Sequence, residues 1–576
     1  MGFLKQEVPV IDFETWSRGT RAEKIKPMAK HWAEVGFGTP VALHLFYVVK
    51  IGLYILGGWL IALSTKGIDG FTNVAAWWTE PIVLEKVVLY TMLFEVIGLG
   101  CGFGPLNNRI FPPMGAILYW LRPNTIRLPP WPGRIPLTRG TSRTPVDVAL
   151  YAALLVMLVV ALCGSGTGPI ASLNSSIGVL PVWEVAMVVA LLAACGLRDK
   201  SIFLGARGEV YGSLAVAFLL TGTDIIVAAK LVLLTIWFGA AVSKLNRHFP
   251  FVISTMMSNN PVLRPRWLKR KFFTHFPDDL TPSWISRWVA HVATAIELLV
   301  PLVLFFGHGW PMAVAATVMV AFHLGILASI PMGVPLEWNV FMIFGLLFLF
   351  VGHADISLTD MHSAWPLALF AVVAGTVVVG NVAPRKVSFL PGMRYYAGNW
   401  DTSLWCMKPS ASTKVEQHVV AIASMPAAQM ERFYGSPETA ALYMYMGYAF
   451  RAFNTHGRAM FTLAHHAMAG RDEADYVLTD GELITSTAIG WNFGDGHMCN
   501  EQLIAALQDR CDFEPGEVRV VLLDAQPIQR QTQRYRLVDA ATGEFESGYV
   551  RVADMANSQP WDDTIPVYVD AHATRN

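Results

Sequence analysis

The sequence predicts a polytopic α-helical membrane protein with about ten membrane segments and a C-terminal α+β soluble domain. Of the 576 residues, 53% are hydrophobic and only 15% are charged, a balance that is rare in soluble proteins. Apolar stretches long enough to cross a bilayer recur between residues 41 and 384. After Pro384 no further stretch of this kind follows, and charged residues become more frequent.

Nine apolar stretches are candidate membrane segments: Val41–Leu63, Ile82–Cys101, Val146–Gly164, Ile177–Gly196, Ile225–Leu245, Ile285–Gly307, Met312–Ile330, Leu336–Gly352 and Trp365–Val382. A further stretch, Tyr211–Leu220, is shorter and is followed by the turn-like sequence Thr221–Asp224. It is either a crossing segment joined tightly to the next one, which gives ten, or a half-helix that does not cross, which gives nine.

The distribution of lysine and arginine favours ten segments. Basic residues concentrate in cytoplasmic loops, and here they cluster in residues 1–40, 102–145, 197–210 and 246–284. The intervening loops are almost free of them, apart from Lys66. Ten crossings place all of the basic loops on one side, with both termini in the cytoplasm. Nine crossings would place the cluster Arg264–Lys271 outside.

The chain divides into three predicted parts. Residues 1–40 form a cytoplasmic amphipathic arm, residues 41–384 the helical membrane domain, and residues 385–576 the soluble domain. The elements predicted in the soluble domain are helices over Glu438–Met468 and Asn500–Gln508, a strand over Val518–Leu523, and a hairpin that joins Tyr535–Val538 to Tyr549–Val552.

Several ionisable residues interrupt the apolar segments, where such groups are rare and are commonly paired or functional. They are Glu85, Lys86, Glu95, Glu184, Lys230, His291, Glu297 and His323. Any one of them could simply pair internally and fix the register of two helices. As a set, they predict a polar cavity within the bundle.

Lys244 is the strongest candidate for a reactive group. It stands where an apolar segment ends and a polar, aromatic loop begins, Ser243-Lys244-Leu245-Asn246-Arg247-His248-Phe249. A lysine that is partly removed from water can act as a base. The alternative is a lysine at a helix end that extends its ammonium group to the membrane surface.

A series of short motifs carries a family resemblance. In chain order they are Asp199-Lys200-Ser201-Ile202, Tyr211-Gly212, Phe238–Asn246, His291, Ile296-Glu297-Leu298 and Phe322-His323-Leu324. In this order they resemble the membrane domain of the vitamin K-dependent gamma-carboxylase and its bacterial relatives, the horizontally transferred transmembrane (HTTM) domain family. The resemblance covers roughly residues 182–350. The whole chain also resembles a family of bacterial membrane proteins, which implies the inner membrane as its location.

The resemblance implies a set of site residues. In the carboxylase, a lysine in a Gly-Val-Lys-Lys-Leu-Asp motif is the base that deprotonates a reduced quinone. Lys244 occupies the place of the second lysine, and Ser243 replaces the first. Arg207 stands where the carboxylase has a functional histidine before its Tyr-Gly pair. The implied catalytic group is Lys244, Arg207 and His323, expected around one cavity. His291, Glu297 and Trp237 are implied in binding a quinone or lipid.

Two functional hypotheses follow. The first is a membrane enzyme that acts on a lipid or quinone, with Lys244 as its base. The second is a non-catalytic membrane subunit that binds lipid or stabilises a protein partner in the membrane. Retention of the lysine favours the first hypothesis. Replacement of the histidine by Arg207 favours the second, because a guanidinium group does not titrate as an imidazole does.

Two other classes of ligand are not expected. The net charge is zero, so no overall positive field points to nucleic acid. Zinc sites need closely spaced ligand pairs, and the spacing of Cys499 and Cys511 does not provide one. We therefore expect membrane lipids as partners and no metal site.

Overall fold

A computed structural model describes residues 2–4, 6–100, 115–329, 336–468, 470–490, 496–562 and 564–570. Within these residues the chain is mostly helical, with a six-stranded sheet near its C-terminal end. Six helices in this described part of the chain are long and apolar enough to cross a membrane: Val41–Leu63, Pro145–Cys163, Thr223–Ser243, Trp284–Phe306, Trp310–Ser329 and Trp365–Val382. The membrane class predicted from composition is therefore supported by structure.

Two short helices form the arm, α1 (Phe13–Arg18) and α2 (Arg21–Val35). Thr20 caps α2 in a reciprocal box with Glu23, which satisfies two of the free N–H groups at the helix start. Trp16 and Trp32 are buried on the apolar side of the arm. Trp32 packs against Phe450 with a centroid distance of 5.1 Å, so the arm lies against the C-terminal part of the chain.

The helical bundle and its connections follow. Its helices are α3 (Val41–Leu63), α4 (Pro81–Val96), α5 (Gly115–Trp120), α6 (Pro145–Cys163), α7 (Val182–Arg198), α8 (Lys200–Gly205), α9 (Ser213–Ala217), α10 (Thr223–Ser243), α11 (Phe249–Asn259), α12 (Arg266–Arg270), α13 (Trp284–Phe306), α14 (Trp310–Ser329), α15 (Leu336–Leu346) and α16 (Trp365–Val382). A short hairpin of β1 (Phe273–His275) and β2 (Asp279–Pro282) precedes α13.

The count of ten crossing segments is not confirmed. The short stretch predicted at Tyr211–Leu220 begins in a π-helical turn, Gly208–Gly212, and continues as α9, which has only five residues. Helices α4 and α7 have 16 and 17 residues, and α15 is prolonged by a π-helical turn, Leu347–Gly352. A bilayer core of about 30 Å needs roughly 20 helical residues, so these segments fall short by length alone.

The loops separate into two sets at opposite ends of α10, whose 21 residues span about 30 Å. At the first end, Asp224 accepts hydrogen bonds from the His362 N–H (2.8 Å) and from Ser363. At the other end, Asn246 donates to the Ala397 carbonyl at 3.2 Å. This second end also gathers the arm and the C-terminal region, and we call it the domain end.

The C-terminal region is built around one antiparallel sheet in the order β4-β3-β5-β6-β7-β8. Its strands are β3 (Thr402–Met407), β4 (Val477–Asp480), β5 (Val518–Leu523), β6 (Thr532–Asp539), β7 (Gly543–Arg551) and β8 (Val567–Val569). The predicted strand at Val518–Leu523 and the hairpin that follows it are confirmed. Gly543 has a positive φ of 93° at the hairpin turn, a conformation that glycine adopts without strain.

Seven helices accompany the sheet: α17 (Pro409–His418), α18 (Pro426–Tyr434), α19 (Pro437–Phe453), α20 (Thr455–Met468), α21 (Gly481–Ile489), α22 (Glu501–Cys511) and α23 (Val552–Asn557). The single helix predicted over Glu438–Met468 is in fact two helices. Asn454 adopts an extended backbone between them, and its side chain donates to the Phe450 carbonyl at 3.3 Å. Such local bonds compete with helix continuation.

The sheet region and the bundle share a core. One continuous cluster of buried apolar residues runs from Leu233 on α10 to Trp405 on β3. The Tyr119 hydroxyl donates to the Ala488 carbonyl at 2.6 Å, and Gln502 donates to the Pro129 carbonyl at 2.9 Å. These contacts hold the sheet region firmly on the domain end of the bundle.

Candidate functional site

A cavity of about 480 Å³ opens between α10, α11, α13 and α14. Five of the six residues implied by the resemblance line it, namely Arg207, Trp237, Lys244, Glu297 and His323. The sixth, His291, is exposed on α13 and lies outside the lining. Six residues along a helix correspond to a rotation of about 240°, so His291 and Glu297 point away from each other. The rest of the lining is mainly apolar.

Lys244 forms an ion pair with Glu297 inside this cavity. The Lys244 ammonium donates to both carboxylate oxygens of Glu297, at 2.6 Å to Oε1. The side chains of Lys244 and Glu297 are only 7% and 5% exposed. The ammonium also lies 5.4 Å from the centroid of the Phe249 ring. Arg207 and Lys244 were expected around one cavity, and both line it. The direct partner of Lys244 is Glu297, which the resemblance had implied in ligand binding.

The local sequence places both members of this pair. Lys244 is the first residue beyond α10 and lies at its C-terminal end, where a positive charge is favoured by the helix dipole. Glu297 lies in the middle of α13, four residues before the buried Pro301. Proline lacks the N–H that would bond the carbonyl four residues earlier, so regular helix hydrogen bonding is interrupted at Glu297.

His323 is held by hydrogen bonds at both ring nitrogens. The Trp237 indole N–H donates to His323 Nε2 at 3.2 Å. His323 Nδ1 lies 2.8 Å from Asn339 Oδ1. Because Nε2 accepts a hydrogen bond, Nδ1 carries the proton and the ring is neutral. This arrangement fixes the imidazole and suits a positioning role on the cavity wall better than proton transfer.

Arg207 lies on another part of the wall and has its own carboxylate. Its Nε donates to Glu209 Oε1 at 2.7 Å. Its guanidinium group stacks over the rings of Trp338 and Tyr395, with centroid distances of 4.5 and 5.5 Å. The Tyr395 hydroxyl donates to Glu209 at 3.2 Å. Arg207 is therefore fixed by an acid and two rings.

Three residues of the site were missed by the sequence analysis. Asn339 and Trp338 follow directly after Glu337 at the start of α15, and a polar run in an apolar helix is a signal that could have identified them. Tyr395 lies in the segment after α16. The aromatic residues near it, Tyr396 and Trp400, fit a membrane-surface belt equally well.

Not all of the intramembrane ionisable residues belong to this cavity. Lys230 donates to the His353 carbonyl at 2.8 Å and to the Ile356 carbonyl. Glu85 accepts from the Leu180 N–H at 2.6 Å, and it is buried with Lys86 and Glu184 in the α4 and α7 region. The expectation of one shared polar cavity therefore holds for only part of the set.

Comparison with known proteins identifies the family. The family model described as "Transmembrane protein of unknown function (DUF3556)" matches residues 1–570, and the chain belongs to this family. No curated protein and no solved structure matches the chain. The family match does not extend to the gamma-carboxylase or the HTTM domain, so that resemblance remains a hypothesis. Among the described residues, no group of three or more His, Cys, Asp or Glu side chains could hold a metal ion.

Proposed function

We propose that this member of the DUF3556 family of transmembrane proteins binds an amphipathic lipid or quinone in the cavity beside Lys244. The polar group of the ligand lies at the Lys244–Glu297 pair, and its apolar chain lies along α11, α13 and α14. The supporting observation is a buried ion pair on the wall of an otherwise mainly apolar cavity of about 480 Å³. Ligand pockets of roughly 300–1,000 Å³ commonly combine an apolar lining with a few convergent polar groups.

The energetics of burial favour a functional use of this pair. Two charges removed from water are stabilised only by good geometry and by further hydrogen bonds. An ammonium group has three N–H donors, and Glu297 accepts from Lys244 through both of its oxygens. One donor therefore remains for a ligand oxygen. An apolar pair of similar volume would fill the same space without the desolvation penalty.

A second candidate function is catalysis, with Lys244 as the base. The observation behind it is the contact of the Lys244 ammonium with both oxygens of Glu297, because a lysine must first pass a proton to an acceptor before it can act as a neutral amine. That amine can accept a proton from a ligand hydroxyl. His323 and Arg207 then act as positioning residues. The non-catalytic alternative, a lipid-binding or partner-stabilising subunit, uses the same cavity without this transfer.

Lipid extraction from purified protein tests the binding proposal. We expect the wild-type protein, solubilised in mild detergent, to retain one amphiphile that mass spectrometry detects in stoichiometric amount. The double variant Lys244→Met/Glu297→Leu removes both charges together, so that no buried charge is left unpaired. It should lose the amphiphile. His291→Ala, a change on the same helix outside the cavity, should retain it. Equal retention by the double variant would refute the proposal.

We also propose ten crossings, with the domain end in the cytoplasm of a bacterial cell. Support comes from the chain between Arg207 and Asp224. Arg207 packs on Tyr395, which follows α16, whereas Asp224 bonds to His362 at the opposite end of α10. The segment therefore connects the two ends, although its regular helix is short. A cytoplasm-specific reporter fused after Asn576 should be active, and a periplasm-specific reporter inserted at Gly168 should be active as well. An inactive cytoplasmic reporter after Asn576 together with an active periplasmic reporter at Gly168 would overturn ten crossings in favour of nine.

A further inference from the structure

We infer that the ligand of the Lys244 cavity carries an uncharged, hydroxyl-bearing head group. The inference rests on the proposed function and specifies its ligand. Among the described residues that line the cavity, the charged ones are Arg207, Lys244 and Glu297. Lys244 is paired with Glu297, and Arg207 is paired with Glu209 at 2.7 Å. The wall therefore presents charges that are already compensated.

An anionic head group is disfavoured by this pairing. A phosphate on the third N–H of Lys244 would place a second anion beside the Glu297 carboxylate, which is only 5% exposed and already shares this cation. Like charges that share a buried site repel each other, and taking an ionised group out of water adds a further cost. Arg207 is no substitute, because its guanidinium group is fixed by Glu209 and packs against the rings of Trp338 and Tyr395. A cationic head group meets the same difficulty with the signs exchanged.

A hydroxyl group fits the pair without disturbing its charge balance. The third N–H of Lys244 can donate to the oxygen of a hydroxyl, and the hydroxyl proton can be donated to Glu297, because carboxylate oxygens accept several hydrogen bonds. A donor and an acceptor side by side therefore match an uncharged group that both donates and accepts, as a hydroxyl does. Diacylglycerols, polyprenols and quinols share this chemistry and carry apolar chains for the rest of the cavity.

The test compares a hydroxyl and a phosphate head group on identical dioleoyl chains, with a quinol as a second hydroxyl-bearing ligand. Dioleoylglycerol, dioleoylphosphatidic acid and a quinol with an isoprenoid chain are added to full-length protein in detergent, and retention is measured by native mass spectrometry. We expect dioleoylglycerol, the quinol, or both to bind at least about ten-fold more tightly than the phosphatidic acid, a difference of about 1.4 kcal/mol. Equal or tighter binding of the phosphatidic acid overturns the inference. If none of the three binds, the proposed function fails and this inference fails with it.

A single substitution provides a sharper test. Glu297→Gln keeps the shape of the side chain but leaves the Lys244 charge uncompensated, so the preference should shift toward the anionic lipid. We expect the phosphatidic acid to gain at least about ten-fold relative to dioleoylglycerol. Glu184→Gln is the matched control, because Glu184 is a buried glutamate of α7 outside this cavity. The control should keep the wild-type preference. An unchanged preference in a folded Glu297→Gln protein overturns the inference.

Discussion

Helix α10 carries a buried lysine near each end, and the two lysines have different partners. Lys230 donates to two backbone carbonyls, those of His353 and Ile356. Lys244 is paired with a carboxylate on the wall of a cavity. Lys230 therefore satisfies two carbonyl groups just after the end of another helix, and this role needs no ligand. A buried lysine in an apolar helix therefore does not by itself identify a functional site. A functional site is identified by the chemistry of the partner of the lysine and by an adjoining cavity.

The largest expected effect is that of Lys244→Met. This change leaves Glu297 buried without its cation, which typically destabilises a protein by about 3–5 kcal/mol. We expect a large fall in the thermal unfolding midpoint, measured by fluorescence in detergent. The double variant Lys244→Met/Glu297→Leu should recover most of the loss. If the single and double variants unfold at the same temperature, the ion pair is not the source of the effect.

Lys230→Met should have a smaller effect of a different kind. It leaves two buried carbonyl groups without their donor, a loss of about 1–3 kcal/mol. Retention of the amphiphile should be unchanged, because Lys230 does not line the cavity. The same lipid extraction and unfolding assays distinguish the two lysines. Loss of the amphiphile in this variant would mean that Lys230 and Lys244 do not differ in their importance for ligand binding.

Trp237 lies between the two lysines along α10, and the variant Trp237→Phe tests what fixes the position of the His323 ring. The change removes the indole N–H that donates to His323 Nε2, and it should lower stability by about 0.5–1.5 kcal/mol. The imidazole should then turn more freely, which ¹⁵N-histidine NMR detects as loss of a single tautomer. A spectrum that retains one neutral tautomer would mean that Asn339 alone fixes the ring.

The smallest expected effect lies outside the bundle and extends the comparison to a partly exposed pair. His466 Nδ1 lies 3.2 Å from Glu546 Oε1, and the two side chains are 37% and 21% exposed. This hydrogen bond raises the pKa of His466 against the opposing effect of burial. The stabilisation is therefore complete below about pH 6.5 and is lost as the pH rises through the raised value.

Because solvent screens this surface pair, it should contribute less than about 1 kcal/mol. Glu546→Gln should therefore lose slightly more stability relative to the wild type at pH 5.5 than at pH 8, measured by unfolding at both values. A larger loss at pH 8 would contradict the assigned direction. Comparison with Lys244→Met then shows how much more stability is lost when the remaining partner of a pair is buried than when it is partly exposed.

The sequence predicted the helical bundle and the hairpin well, because both depend on local patterns. Apolar runs of about 20 residues and alternation around a glycine turn are visible in the chain itself. The helix break at Asn454 was not predicted, since one polar residue within a long apolar run gives a weak signal. The shortness of α9 was visible in the sequence. Whether the segment around α9 reaches from one end of α10 to the other depends on the residues that pack at each end.

The residues of the cavity were easier to predict than their pairing. Lys244, Glu297 and His323 are conspicuous, because ionisable groups are rare in apolar helices. Lys244 and Glu297 are 53 residues apart, and only the packing of α10 against α13 reveals that they meet. His291 was placed at the site by the resemblance, but helix rotation turns it outward. Arg207 lies on the cavity wall, whereas its bond to Glu209 was not considered.

The packing of the arm against α19 has a consequence for biosynthesis. Trp32 leaves the ribosome early, but its partner Phe450 is made only after the whole bundle has been inserted. At about 5–20 residues per second, α19 becomes available to cover Trp32 roughly 20–80 s after that residue is made. Until then the arm can pack only on parts of the chain that are made earlier, such as α11 and α12. The arm therefore packs against α19 only late in synthesis. This contact connects the first and last parts of the chain at the domain end.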